Sequence, residues 1–524
     1  MANSKQTIKP LILIVLDGWG LALPSEGNAI TQAITPNLDF YFGSYPHTNL
    51  AAHGEAVGLP HGYMGNSEVG HLTLGSGRVI EQDLTRINRS IKDKTFFQNS
   101  TLLATIKHVQ DNNSKLHLLG LLSRGGVHAE TKHLYALLEL AKLHGLRKVY
   151  IHAFTDGRDM APQSAGELVG DLERRIKEIG VGEIASITGR YYAMDRAHNW
   201  KRSADVYNTM VYGQGEKTNS PLEAIDRAYQ KRLNDQQIPP TVIFKKGKPK
   251  AVMENNDAAI FFNFRSDRAR QITKPFVLKD FPFFDRGKNP PNIFFVGMTN
   301  FGNDLPMLIA YPDVNIKNAI PEMLGKRQNI KQLYIAEEEK FSHVAFFFHG
   351  GSSIWQENEE RLMLDSPNID NYADLPEMAL STVAQTVQEK LKTNKYNFIL
   401  MNVANPDMLA HTGDIAATVK AIEIVDKYLK QVIDACLQKN GTVIITADHG
   451  NAEEMIDLET GQIDTKHSSN PVPFTIVSDN ELVKEYRARN LLRLRDGELA
   501  DVAPTILKIM GIPKPKEITG HSLI

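Results

Sequence analysis

A single cysteine, Cys436, stands in 524 residues, so no disulfide can form within the chain. Long apolar runs are missing too. The polar start MANSKQTIKP leads into Leu11 to Leu16, a stretch too short for a signal sequence or a membrane span. Charge of one sign is equally scarce: the net charge is −2, which excludes the global basic field of a general nucleic-acid binder. Small anionic substrates are left to local arginine clusters. No repeat and no low-complexity tract interrupts the sequence. These absences describe a soluble, cytoplasmic protein with a small-molecule partner, no nucleic acid and no membrane. Cys436 continues an amphipathic helical pattern with Val419, Ile422, Val425, Leu429 and Val432, so its thiol reads as a core residue.

Short runs rich in Val, Ile and Phe alternate with helix-like segments, the pattern of an α/β protein, and the length calls for at least two domains. The expected strands are Leu11 to Leu16, Lys115 to Leu122, Lys148 to Phe154, Glu183 to Thr188, Ala259 to Phe264, His343 to Phe348, Asn397 to Val403 and Thr442 to Thr446. Polar clusters follow most of them. Asp17 follows the first, Arg124 and His128 the second, Asp156, Arg158 and Asp159 the third, Arg190 the fourth and Arg265 and Arg268 the fifth. Asp407 and His411 follow the seventh, and Asp448 and His449 the last. Open α/β sheets bind ligands outside the carboxyl ends of their strands. The acidic and histidine clusters occupy the two chain ends, and the arginine clusters lie between them. A ligand set split in this way predicts a discontinuous outer domain, 1–81 with 315–524, and an inserted domain, 82–314. The linkers are expected near Val79 to Asp83 and Tyr311 to Pro321.

The octapeptide MGNSEVGH sets Ser67 among glycines. Two readings are open: a serine N-cap in a glycine-rich turn, or a phosphate-accepting nucleophile at the positive end of a helix. Asp407 and His411, spaced i, i+4, would face one point on a helical turn. Asp448 and His449 close an apolar strand before Gly450, which permits a sharp turn, and Asp17 ends another such strand before Gly18. Together with His467, these residues offer three carboxylates, three histidines and one serine oxygen. That set suits two divalent ions, and with no thiolate available manganese or zinc fits best. A two-ion clamp activates an oxygen nucleophile and neutralises a phosphoryl group, so a phosphoserine on Ser67 follows. Arg158, Arg190, Arg196, Arg265 and Arg268 could hold the carboxylate and phosphate of a small acid.

The strings VLDGWG, MGNSEVGH, SRGGVH, FTDGRD, GRYYAMDR, NFRSDRAR, NPDMLAHT, TADHGNAE, HSSNPVPF and TGHSL occur here in order. With them the sequence resembles, over essentially its whole length, the cofactor-independent (2,3-bisphosphoglycerate-independent) phosphoglycerate mutases of the alkaline phosphatase superfamily. The resemblance implies an alkaline-phosphatase-like α/β domain with a second α/β domain inserted. It also implies interconversion of 3-phosphoglycerate and 2-phosphoglycerate through a phosphoserine, by a monomer that uses two divalent ions, most simply manganese, and no bisphosphoglycerate. One ion would take Asp407, His411 and His467, and the other Asp17, Ser67, Asp448 and His449. His128, Arg158, Asp159, Arg190, Arg196, Arg265, Arg268 and Lys340 match substrate positions, with Asp159 handling the glycerate hydroxyl protons. Retaining glycerate and excluding water implies closure between the domains. His349 and Ala410 depart from the family wording, and His349 could change the pH response on the substrate side. Other readings are a phosphopentomutase, phosphatase or sulfatase of the same superfamily, or a non-catalytic metal-stabilised binding protein.

Overall fold

The structure is a computed structural model that describes residues 9–524, so residues 1–8 of the polar start lie outside it. The described residues form two compact units, residues 9–82 with 315–524 and residues 83–314. The outer unit is built on an eight-stranded sheet, mostly parallel. Its centre is Leu11–Leu16, buried throughout, with Phe398–Val403 parallel on one side and Thr442–Thr446 parallel on the other. Strands covered on both faces read as unbroken apolar runs, as these do. The register aligns Leu16 with Val403, and Val15 with Thr446. Asp17, Asp407 and Asp448 therefore leave the sheet at the same edge from three adjacent strands.

Beyond Phe398–Val403 comes Gln332–Glu337, and beyond that the edge strand Glu359–Leu364. The expected strand at His343 to Phe348 is not formed. Helix Glu338–Ser342 runs instead into a single π turn at His343–Phe347. The reason lies in burial: Val344 and Phe348, four residues apart, are buried, whereas Phe346 between them is exposed. That is helical spacing, and the apolar run masked it. Strands Gln332–Glu337 and Val472–Ser478 were not anticipated. Cys436 is buried in helix Ile415–Leu437, and burial pushes its thiol pKa up to about 12. No described helix is long and apolar enough to cross a membrane.

The inserted unit has its own sheet of nine strands, with Leu116–Leu122, Val149–Thr155 and Glu183–Gly189 parallel at its centre. Its core holds a buried polar chain. His117 Nε2 meets Asp257 Oδ2 at 3.1 Å, His117 Nδ1 meets His152 Nε2 at 3.0 Å, and His152 Nδ1 meets Ser186 Oγ at 2.8 Å. Burial, then His117 and Lys115, hold His152 well below the ordinary histidine range. Burial likewise lowers His117 against the opposing pull of Asp257. A histidine kept neutral in the fold contributes stability that is fully present above the unfolded pKa of about 6.5 and is lost as pH falls through that value. The thermal midpoint should therefore drop between about pH 7 and pH 5. His152→Asn should flatten that drop, and an unchanged pH slope in thermal unfolding would contradict the assignment.

Candidate active site

The three carboxylates that leave the outer sheet meet in the interior. Asp17, Asp407, Asp448 and His449 are all at most 1% exposed. Gly18 makes the meeting possible: its φ is +74°, and a Cβ there would lie 2.7 Å from Asp407 Cα. Asp407 sits in the short helix Asn405–Ala410, where Pro406 fits the first turn. Lys340 enters from the helix that follows strand Gln332–Glu337. Its ammonium donates to Asp17 Oδ1 at 2.7 Å, Asp407 Oδ2 at 2.5 Å and Ser67 Oγ at 3.0 Å.

The histidines are fixed by their second nitrogens. His411 Nδ1 lies 2.8 Å from Thr465 O, and His467 Nδ1 lies 2.9 Å from Gly65 O. A carbonyl only accepts, so both protons sit on Nδ1 and both Nε2 lone pairs are left to converge. They converge on Asp407 Oδ1, at 3.3 and 3.4 Å, and stand 3.2 Å from each other. The three donor atoms face one point, and Asp407 draws positive charge there by raising His411, an arrangement that fits a divalent cation. His449 is placed similarly, with Nδ1 3.2 Å from Gly450 O and Nε2 2.9 Å from Ser67 Oγ and 3.4 Å from Asp17 Oδ1, but it differs in its charge. Donor atoms of Asp407, His411 and His467 lie close enough to hold one ion, as do those of Asp17, Asp407 and His449, and those of Asp17, His71 and Asp448.

The electrostatics agree with that fit. Burial pushes the Asp17 and Asp407 carboxyls up, but Lys340 and the neighbouring histidines outweigh it and hold both well below the usual range. The Lys340 ammonium is correspondingly stabilised. Burial alone would lower His449, yet Asp448, Asp17 and Asp407 raise it to about 10. The carboxylates thus draw a proton onto a buried imidazole, the sign of a site short of positive charge. His467 goes the other way, to about 4, through burial and the nearby His449.

Ser67 begins helix Ser67–Ser76, with its Oγ 3.1 Å from Asp17 Oδ1. It is not the N-cap. Asn66 takes that place, its side chain accepting from Val69 N at 3.1 Å, which leaves the serine hydroxyl for the carboxylates and Lys340. The glycines of the octapeptide serve packing. A Cβ on Gly70 would meet Asp448 O at 2.5 Å and Asp448 Cβ at 2.7 Å, so the helix rests directly on the segment that carries Asp448.

Four polar residues escaped the sequence reading. Asn402 Nδ2 donates to Asp17 Oδ2 at 2.8 Å, and Asn451 Nδ2 donates to Asp407 Oδ1 at 2.7 Å. Glu453 accepts from Gly20 N and Asn451 N, and His71 lies 3.1 Å from Asp448. A lone asparagine inside the apolar run FILMNV was the available signal for the first.

The inserted unit gathers a second group. Arg190 Nη1 donates to Asp156 Oδ1 at 2.5 Å and to Asp159 Oδ2 at 2.7 Å. Arg196 and Arg265 pair with Asp267 at 2.7 and 3.4 Å, and His128 Nδ1 lies 3.6 Å from the same carboxylate. Burial and then the charges of Arg196, Arg190 and Arg158 lower Arg268. Burial and then Arg190 hold His128 at about 4. Lys340 does not belong to this group; it lies with the carboxylates of the outer unit. His349 faces Glu359 at 3.3 Å, and Ala410 is buried beside His411.

Comparison with known proteins gives concordant matches. Residues 87–303 match the family described as BPG-independent PGAM N-terminus, and residues 311–510 match Type I phosphodiesterase / nucleotide pyrophosphatase. The 2,3-bisphosphoglycerate-independent phosphoglycerate mutase of Clostridium botulinum is 48% identical over 98% of this chain and 99% of its own length. The chain belongs to that family. The mutase of the same name from Clostridium perfringens is 49% identical over 98% of this chain and 99% of its own. A crystal structure of Leishmania mexicana phosphoglycerate mutase at low cobalt concentration superposes with a TM-score of 0.70 at 29% identity, covering 99% of this chain and 98% of that one. Family membership makes the outer unit an alkaline-phosphatase-like α/β domain. Because Gly70 has no room for a methyl group, Gly70→Ala should lower stability by about 1–3 kcal/mol and displace Asp448. Unchanged denaturant midpoint and metal affinity would refute that packing role.

Proposed function

We propose that the chain interconverts 3-phosphoglycerate and 2-phosphoglycerate, without 2,3-bisphosphoglycerate, by carrying the phosphoryl group on Ser67. The main support is the surroundings of that hydroxyl: Asp17, His449 and Lys340 lie 3.1, 2.9 and 3.0 Å from it, at the positive end of a helix. Asp407, His411 and His467 would hold one divalent ion, and Asp17, Ser67, Asp448 and His449 a second, with manganese suited to this mix of oxygen and imidazole. Such ions, when bound, lower the pKa of the serine hydroxyl and neutralise charge on the transferring group.

Ser67 gives up its hydroxyl proton to solvent, and its Oγ attacks phosphorus in line. The Oγ–P bond forms as the bond from phosphorus to the glycerate oxygen breaks. Asp159 passes a proton to that oxygen. Lys340 donates to Oγ throughout and offsets charge on the phosphoryl oxygens. His128, Arg158, Arg190, Arg196, Arg265 and Arg268 hold the glycerate carboxylate, so the acid reorients instead of escaping. The Asp159 carboxylate then takes the proton from the second hydroxyl, whose oxygen attacks the phosphoserine and expels Ser67 Oγ, which takes a proton back from solvent. Water has to be kept from the phosphoserine while this happens. We infer a cytoplasmic monomer.

Protein stripped of metal and reloaded with manganese should convert 3-phosphoglycerate to 2-phosphoglycerate in a coupled assay with no bisphosphoglycerate added. A requirement for bisphosphoglycerate would overturn the proposal. Ser67→Ala should lower turnover by several orders of magnitude while most manganese binding persists, because the hydroxyl is one ligand among several. Undiminished turnover would exclude the phosphoserine route.

A further inference from the structure

Two buried polar side chains beside the proposed ligand set have no part in the steps above. Asn402 interrupts the apolar strand Phe398–Val403, and His71 lies one helical turn beyond Ser67. They are 2% and 0% exposed. Asn402 Nδ2 donates to Asp17 Oδ2 at 2.8 Å and lies 3.2 Å from His71 Nε2. The flipped amide would press its oxygen against the Asp17 carboxylate, two acceptors with no proton between them, so only one orientation serves. Both amide protons are then engaged, one by Asp17 and one by His71. His71 Nε2 is therefore an acceptor, and the ring proton is on Nδ1. That nitrogen donates to the Ser67 carbonyl oxygen at 3.0 Å and stands 3.1 Å from Asp448 Oδ2, a close approach without a hydrogen bond.

We propose that Asn402 and His71 are positioning residues: hydrogen bonds run from Asp17 through Asn402 and His71 to the Ser67 carbonyl, and the His71 ring packs against Asp448, so the pair fixes the orientation of the two carboxylates beside Ser67. The link rests on the reading of both carboxylates as metal ligands. The rival role for His71 is direct ligation, since its ring lies within reach of an ion shared with Asp17 and Asp448. The proton placement opposes that role: Nε2 is turned to an amide N–H, and Nδ1 carries its proton toward the Ser67 carbonyl. Groups of this kind, which bond to ligands and not to the ion, orient the ligands and tune affinity. Their loss leaves the carboxylates in place but free to turn.

The test is manganese binding to the metal-stripped, full-length protein by titration calorimetry, read beside steady-state kinetics. Wild-type protein that binds no manganese would overturn the metal reading itself, an outcome distinct from failure of the link. His71→Gln moves its amide to the Nε2 position and cannot donate at Nδ1, so manganese affinity should fall roughly 10- to 100-fold. His71→Asn keeps a donor near Nδ1 and should recover most of that loss. Asn402→Ala should weaken binding as His71→Gln does, and the double variant should be no weaker than the weaker single one, because a link cut once is already cut. At saturating manganese the KM for 3-phosphoglycerate should stay at the wild-type value. Wild-type affinity in both His71→Gln and Asn402→Ala, equal losses in His71→Asn and His71→Gln, or losses that sum in the double variant would each overturn the proposal.

Discussion

Three carboxylates brought out of water at the ends of three adjacent parallel strands are the constraint on which the rest of the outer unit depends. A buried carboxylate without a partner is too costly to keep, and three together compound the cost by repulsion. Asp17, Asp407 and Asp448 are held there by the register of the central strands, and one lysine and a set of histidines answer them. The response is visible in every neighbour: Lys340 bound to two carboxylates at once, His449 raised to about 10, and Asn402 and Asn451 each donating to an aspartate. Gly18 and Gly70 belong to the same constraint. Each sits where a methyl group would push one segment of the cluster away from another.

The two units divide the chemistry by charge. The outer unit concentrates negative charge around Ser67, which suits cations and, through them, a phosphoryl group. The inserted unit concentrates guanidinium groups around Asp156, Asp159 and Asp267, which suits an organic acid. A phosphatase would need only the first. Retaining a dephosphorylated product is the task that calls for the second, and it separates a mutase from a hydrolase on the same outer fold.

Much of this was legible in the sequence because the α/β rule turns a strand end into a site. Asp17, Asp407 and Asp448 each follow an apolar run, and the i, i+4 spacing of Asp407 and His411 does bring Nε2 to the carboxylate. Lys340 was not legible from pattern. Placing a strand at His343 to Phe348 hid the true strand Gln332–Glu337, and with it the fact that Lys340 follows a strand end like the others. The cap of the Ser67 helix was ambiguous by one residue because asparagine and serine cap equally well, and only the geometry assigns Asn66 to the cap and Ser67 to the site. Asn402 left only a lone polar residue in an apolar run as a signal, and its pairing with His71 left none, since that bond joins positions 331 residues apart in sequence.

The central claim is that Ser67 takes the phosphoryl group. Protein mixed with 3-phosphoglycerate and manganese, acid-quenched within the first turnovers and digested, should yield one phosphorylated peptide, with the phosphate on Ser67 by mass spectrometry. Catalytic turnover with no phosphate on Ser67, or with phosphate on another residue, would contradict the account.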